Sequence, residues 1–269
     1  MSATIYKHEF RARLKSVIIW SLSITFLIVF FFAMFPVFAD QTALMNEALS
    51  RYPAELREAM GLDKMDLSTV LGFYSFIFLF VQLCLAIQAS NYGFGLVSVE
   101  ESELTADFLM SKPVSRTQVL NSKLLAALTN LTITNLVVWV SSFVAITLFR
   151  EGREYDSGTL VMLLLTILIF QLFFLSVGLV ISLLVKRVRS VTPYALGLGF
   201  GAYVLNGFSG VFGDIKLELV TPFKHIEATY IIMYKEYDLP LLLLNISISL
   251  ISLAASYWLY NRRDIPAVS

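Results

Sequence analysis

Residues 159–185 read TLVMLLLTILIFQLFFLSVGLVISLLV, a run without a single Asp, Glu, Lys, Arg or His. A helix needs about 20 apolar residues to cross the hydrocarbon core of a bilayer, and this stretch exceeds that length. Five more stretches, 17–39, 70–90, 124–149, 191–212 and 239–260, are equally free of charge. A charged side chain at the centre of such a helix costs about 2.5–3.5 kcal/mol on insertion scales. A bilayer imposes so clean an exclusion, whereas the core of a soluble protein does not require it. The pattern predicts an all-α, polytopic membrane protein, a single transmembrane domain over 1–269 with six transmembrane helices. Composition agrees, with 57% hydrophobic residues, 14% aromatics and a mean hydropathy of +0.75.

The formal net charge is zero, yet the charges are unevenly placed. If both termini and the even-numbered connections share one side, that side (1–16, 91–123, 186–190, 261–269) holds twelve of the 20 Lys and Arg residues. It holds only six of the 20 Asp and Glu residues. The positive-inside rule puts that side, and both termini, in the cytoplasm. The lone cysteine, Cys84, can form no internal disulfide and gives no information on redox compartment. Val37-Phe38-Ala39 imitates a signal-peptidase site, but the preceding apolar run is longer than the 7–15 residues of a signal core, so no cleavage is expected.

The connections carry their own structure. In 1–16, Tyr6, Phe10, Leu14 and Val17 recur at helical spacing beside a basic stripe of Lys7, Arg11 and Lys15, which predicts a helix lying in the headgroup region. In 40–69, Pro53 precedes Ala-Glu-Leu-Arg-Glu-Ala-Met and Gly61 follows it, the expected bracketing of a short helix; Asp66 can cap the second span. The segment 213–238 reads as a partly interfacial helix, with Asp238 capping the sixth span. The inner segment 91–123 is richer. Ser98-Val-Glu-Glu101 is a capping-box pattern, predicting a helix start near Val99 with Glu100, Glu103 and Asp107 as an acidic stripe. Pro113 disfavours helix at Lys112, and Ser115-Arg-Thr-Gln118 is a second capping signature opening the third span.

Several chemistries are excluded by what is missing. No span holds an Asp, Glu, Lys, Arg or His, the charge-bearing residues that ion-coupled carriers usually hold at membrane depth. A P-loop needs a Gly-Lys pair, and no glycine in the 269 residues is followed by lysine. Gly207-Phe208-Ser209-Gly210 imitates the nucleophile motif of rhomboid proteases, but His8 and His225 both fall outside the spans. Glu100-Glu101 imitates membrane metalloproteases that process prenylated proteins, but Thr105 stands where their arginine is required, and metal-ligand spacing is absent. The spans do contain uncharged polar residues: Gln82, Gln88, Asn130, Asn135, Gln171, Asn206 and Asn245. These either bond helix to helix or line a translocation path. Gly197 and Gly201 form a small-xxx-small pair that suits close helix packing within one subunit or between two.

Residues 103–125, ELTADFLMSKPVSRTQVLNSKLL, resemble the segment after the second helix in type-2 ATP-binding-cassette (ABC) transporter permeases. The likeness lies in Phe108-Leu109, Pro113-Val114-Ser115-Arg116 and Lys123. The basic amphipathic start, the helical outer segment and Thr221-Pro222-Phe223 also fit, although Leu120 replaces a more usual small residue. The resemblance implies half of a dimeric pore, paired with a second copy or a paralogue. A separate P-loop ATPase subunit would bind the ATP and magnesium; the chain itself would hold no cofactor or metal and have no catalytic residue. Residues 91–123 would then be the coupling segment, with Glu100, Glu101, Glu103, Asp107, Phe108, Lys112, Pro113 and Arg116 meeting the ATPase. Most relatives are exporters, and the expected setting is a bacterial cell membrane, with no nucleic-acid partner. Two other readings stay open: an anchor or regulator of an ATPase complex without a conduit, and an uncoupled channel.

Overall fold

The computed structural model describes residues 2–41, 51–53, 57, 66–102, 114–185, 188, 190–209 and 217–262. The helices among them are α1 (Ala3–Phe32), α2 (Phe35–Asp40), α3 (Val70–Ser102), α4 (Arg116–Phe149) and α5 (Ser157–Leu184). They continue with α6 (Val191–Phe208), α7 (Pro222–His225), α8 (Ala228–Tyr234) and α9 (Leu239–Arg262). There is no strand among the described residues.

Five helices are long and apolar enough to cross a membrane, spanning Ala3–Asp40, Val70–Ser98, Arg116–Phe149, Ser157–Leu184 and Leu239–Arg262. The expectation of six is met only in part. Helix α6, which carries the fifth predicted span, has 18 residues, about 27 Å at 1.5 Å per residue. Pro193, Asn206 and four glycines dilute its apolar content, and it is not among the five.

The helices pack as pairs around a continuous apolar core. Helices α1 and α4 run side by side, with Tyr6 Oη donating to Thr129 Oγ1 at 3.2 Å. Helices α3 and α5 also run in the same direction, joined where Gln171 Nε2 donates to Gln88 Oε1 at 3.3 Å. A Cβ on Gly93 would overlap the Leu175 carbonyl oxygen and approach Leu179 N at 3.1 Å, so these two backbones nearly touch. Helix α6 lies antiparallel on α3, Tyr194 stacking near Phe94 and Gly199 facing Ile87. Phenylalanines fill one end, where Phe32, Phe35 and Phe38 all contact Phe73 with ring centroids 5.2–5.7 Å apart. At that same end Lys235 bonds to Asp156 at 2.9 Å. This bond, then the Thr159 hydrogen bonds, hold the Asp156 carboxyl down at about 2. At the opposite end, Ser2 N donates to Ser122 Oγ at 2.8 Å and Arg116 Nη1 donates to Tyr260 O at 3.1 Å. Ser2 and Arg262 therefore sit at one end of the bundle.

Local signals fare unevenly. The Ser115/Gln118 capping box forms in both directions, and Asp238 Oδ1 accepts from Leu241 N at 3.2 Å to cap α9. Asp66, expected to cap the second span, instead caps the turn before it, accepting from Ser68 N at 3.0 Å; Thr69 Oγ1 caps α3 through Gly72 N. No helix starts near Val99. Helix α3 runs unbroken to Ser102, and the Ser98 hydroxyl bonds back to the Phe94 carbonyl, the behaviour of serine inside a helix. The expected boundary between a surface helix over 1–16 and the first span is also missing. Helix α1 is continuous from Ala3 to Phe32, because Tyr6 and Phe10 are engaged on α4. The proline–glycine helix expected in 40–69 lies largely outside the described residues.

Candidate functional site

The segment 213–238 was expected at the interface, yet part of it is inserted into the bundle. Thr221, Phe223, His225, Ile226 and Ile231 are buried. Phe223 packs edge-on against Phe170 of α5 and Tyr203 of α6, with centroids at 5.1 and 5.8 Å. Gln82 Nε2 on α3 donates to the Ile226 carbonyl at 3.0 Å, and Asn245 Nδ2 on α9 bonds to His225 Nδ1 at 3.3 Å. Lys224 and Glu227 neutralise each other locally, paired at 2.9 Å. Helices α7 and α8 thus form a plug held by four surrounding helices.

A second polar group lies deeper. Gln88 Nε2 donates to Thr134 Oγ1 at 2.9 Å, Gln171 donates to Gln88, and Thr134 Oγ1 donates to the Asn130 carbonyl. This chain crosses α5, α3 and α4. Of the seven polar residues predicted to line a path or bond helices, it joins the side chains of Gln88 and Gln171. Asn130 contributes only its main-chain carbonyl, and its side-chain Nδ2 donates to Phe10 O on α1 at 3.5 Å. Gln82 and Asn245 meet the plug instead, while Asn135 is buried elsewhere on α4 and Asn206 is half-buried on α6. The side-chain oxygens of Asn130, Asn135, Gln171, Asn206 and Asn245 are buried without a hydrogen-bond partner among the described residues. Buried amide oxygens usually find one. Gln88→Leu should strand the Gln171 amide, at about 1–3 kcal/mol for a buried unpaired group, while Thr134 keeps its bond to the Asn130 carbonyl. Its melting temperature in detergent is expected to fall by a few degrees, and an unchanged melt would show that the chain holds nothing together.

Of the predicted coupling residues, Glu100, Glu101 and Arg116 fall at the root of the bundle end that carries Ser2 and Arg262. Glu100 and Glu101 lie on the last turn of α3. Glu103, Asp107, Phe108, Lys112 and Pro113 lie outside the described residues. Arg116 opens α4 and donates to the carbonyls of Tyr260 at 3.1 Å and Asn261 at 3.3 Å. It therefore closes the carbonyl end of α9, where helical groups lack partners. Beside this root is a cluster that sequence reasoning did not assemble. Lys123 Nζ, on a side chain only 2% exposed, donates to Leu96 O on α3 at 2.6 Å and lies 3.6 Å from Glu9 Oε1 on α1. Glu9 also faces Arg13 at 3.7 Å, whose guanidinium sits 5.0 Å from the centre of the Tyr92 ring. The signals in the sequence were Lys123, as part of the family-like segment, and Glu9, the lone acid in a basic segment, one helical turn from Arg13.

Helices with membrane-length uncharged stretches, paired around an apolar core that also buries most of their amide side chains, define a multi-pass α-helical membrane protein. A family model described as ABC-2 family transporter protein matches residues 3–265, and the chain belongs to that family, the membrane component of ABC transporters. Comparison with curated proteins and with solved structures gives no significant match.

Proposed function

We propose that this chain is the permease subunit of an ATP-driven ABC exporter, forming half of a dimeric path and driven by a separate P-loop ATPase that binds ATP and magnesium. The observation that carries this reading is the family match across 3–265 in a chain with no Gly-Lys pair for a P-loop of its own. The interhelical amides supply polar groups for a path between α3, α4 and α5, and the inserted α7–α8 pair stands as its outer plug. The test is ATP-dependent movement of labelled candidate cargo into inverted vesicles containing the chain and a cognate ABC ATPase. Assembly and ATP turnover without movement of any cargo would favour the anchor or regulator reading, and conductance without any ATPase would favour a channel.

The proposal includes six crossings, with α6 completing the set and both chain ends in the cytoplasm of a bacterial cell. In a Cys84→Ser background, Glu154→Cys is expected to react with an impermeant maleimide in intact cells, whereas Thr117→Cys should react only after permeabilisation. Both positions lie in exposed stretches at opposite ends of the bundle. Labelling of position 117 in intact cells would overturn the orientation.

A further inference from the structure

We propose that Lys123 and Glu9 are positioning residues that bind the inner ends of α1, α3 and α4 into one rigid lever, so that force on the coupling segment moves α1 as well. The proposal rests on the permease reading above for its use, and on the buried cluster for its geometry. Leu96 is six residues before the end of α3 at Ser102, and Lys123 is seven after the start of α4 at Arg116. Both helix ends belong to the predicted coupling segment, 91–123, so any displacement of it pulls on one or the other. The Lys123 ammonium holds the Leu96 carbonyl of α3 and faces the Glu9 carboxylate of α1 while rooted in α4.

Burying an ammonium carries a desolvation cost that an apolar side chain of similar length avoids. Packing alone therefore does not call for lysine at 123. What lysine adds is a charge-assisted hydrogen bond to α3, one of the strong kinds, and at the same point an ion-pair attraction to the Glu9 carboxylate of α1. The flanking contacts extend the tie along α1: Ser2 to Ser122 at one end, and Ser16 to Tyr92 at 3.4 Å at the other. Tyr6 and Phe10 add bonds from α1 to α4, at Thr129 and Asn130, but the link from α1 to the inner end of α3 runs through Lys123 and through Ser16 to Tyr92.

The first arm of the test uses the full chain in membranes, with Ser2→Cys and Ser122→Cys in a Cys84→Ser background. Mild oxidation should join this pair readily in otherwise native protein. Lys123→Met should lower the cross-linking rate at least threefold, Glu9→Gln should lower it less, and Lys123→Arg should restore it. The second arm uses the complex with its ABC ATPase and spin labels at Thr4→Cys and Thr117→Cys, diluted with unlabelled chain. The label separation should stay the same between the nucleotide-free and ATP-vanadate states, but split into two populations on trapping in Lys123→Met while ATP turnover continues. If Lys123→Met does not insert, Glu9→Gln carries both arms. Unchanged cross-linking and an unsplit distance in both variants would overturn the lever. Failure of any ABC ATPase to assemble with unmutated chain would overturn the permease reading instead, and the first arm would still decide whether the tie exists.

Discussion

Replacing Gly93 with valine is expected to remove most folded protein from the membrane, the largest loss of stability of any single change considered. Gly93 on α3 faces the Leu175–Leu179 turn of α5, and a Cβ would meet backbone atoms there rather than a movable side chain end. The helices would have to move apart. Gly178 on α5 makes the reciprocal approach, with a Cβ position 3.2 Å from the Ser90 carbonyl and 3.3 Å from the Phe94 ring, so separation costs contacts on both sides. The Gln171–Gln88 bond at 3.3 Å is already long and would break first. Overpacking costs about 1–3 kcal/mol and occasionally more, and helices in lipid associate chiefly through close packing at small residues. Alanine at 93 should therefore be damaging and valine worse. Gly197→Ala is the control, because a Cβ there meets nothing within 4 Å and alanine in a helix interior should hold stability or raise it by up to about 1 kcal/mol. The measurement is the yield of monodisperse protein and its melting temperature. A Gly93→Val protein that melts with the unmutated chain would refute the α3–α5 approach.

The apolar stretches were legible because a bilayer imposes a simple rule, and the described helices over 17–32, 70–90, 124–149 and 239–260 follow it. Caps that depend on a few adjacent residues, Ser115 with Gln118 and Asp238 with Leu241, were legible for the same local reason. The Ser98–Glu101 signature misled because a capping box describes how a helix can begin, while packing decides whether the previous one has ended. Helix α3 continues through it, its Ser98 hydroxyl turned back on Phe94. The inner part of α1 shows a related ambiguity. Tyr6 and Phe10 at helical spacing specify an apolar face, but a headgroup layer and a neighbouring helix use the same face equally well; here Tyr6 reaches Thr129.

The candidate sites were less legible for a different reason. Gln88, Gln171 and Thr134 stand 37–83 residues apart in sequence, and nothing local to any one of them names the others. Lys123 was visible as part of the family-like segment, but its hold on Leu96 involves a main-chain carbonyl, which leaves no trace in residue identity. His225 was placed outside the spans by its charged neighbours, yet it is buried against Phe173 and Asn245. The pairing of Lys224 with Glu227 removes the reason for keeping that segment at the surface.

Reversing Glu100, Glu103 and Asp107 together to lysine is expected to release the ATPase or to uncouple it, the largest functional effect anticipated. The three recur at i, i+3 and i+7, which places them on one face if the helical path of α3, continuous to Ser102, extends onward. Exposed ion pairs contribute only about 0.2–1 kcal/mol each, so single neutral substitutions should be mild. Reversal replaces attraction with repulsion at all three positions, on the order of a few kcal/mol in total and roughly a hundredfold in affinity for each 2.8 kcal/mol. Phe108→Ala is expected to outweigh any one acidic substitution, because a buried aromatic anchor can contribute about 2 kcal/mol or more. The measurement is co-purification of the ATPase and its turnover in the complex, for variants shown to insert at normal levels. A mild Phe108→Ala alongside a severe triple reversal would make the contact electrostatic, and its affinity should then fall steeply with added salt. If both variants assemble and turn over ATP as the unmutated complex does, the acidic face is solvated and force enters the permease elsewhere, with the Lys123 tie then the first place to look.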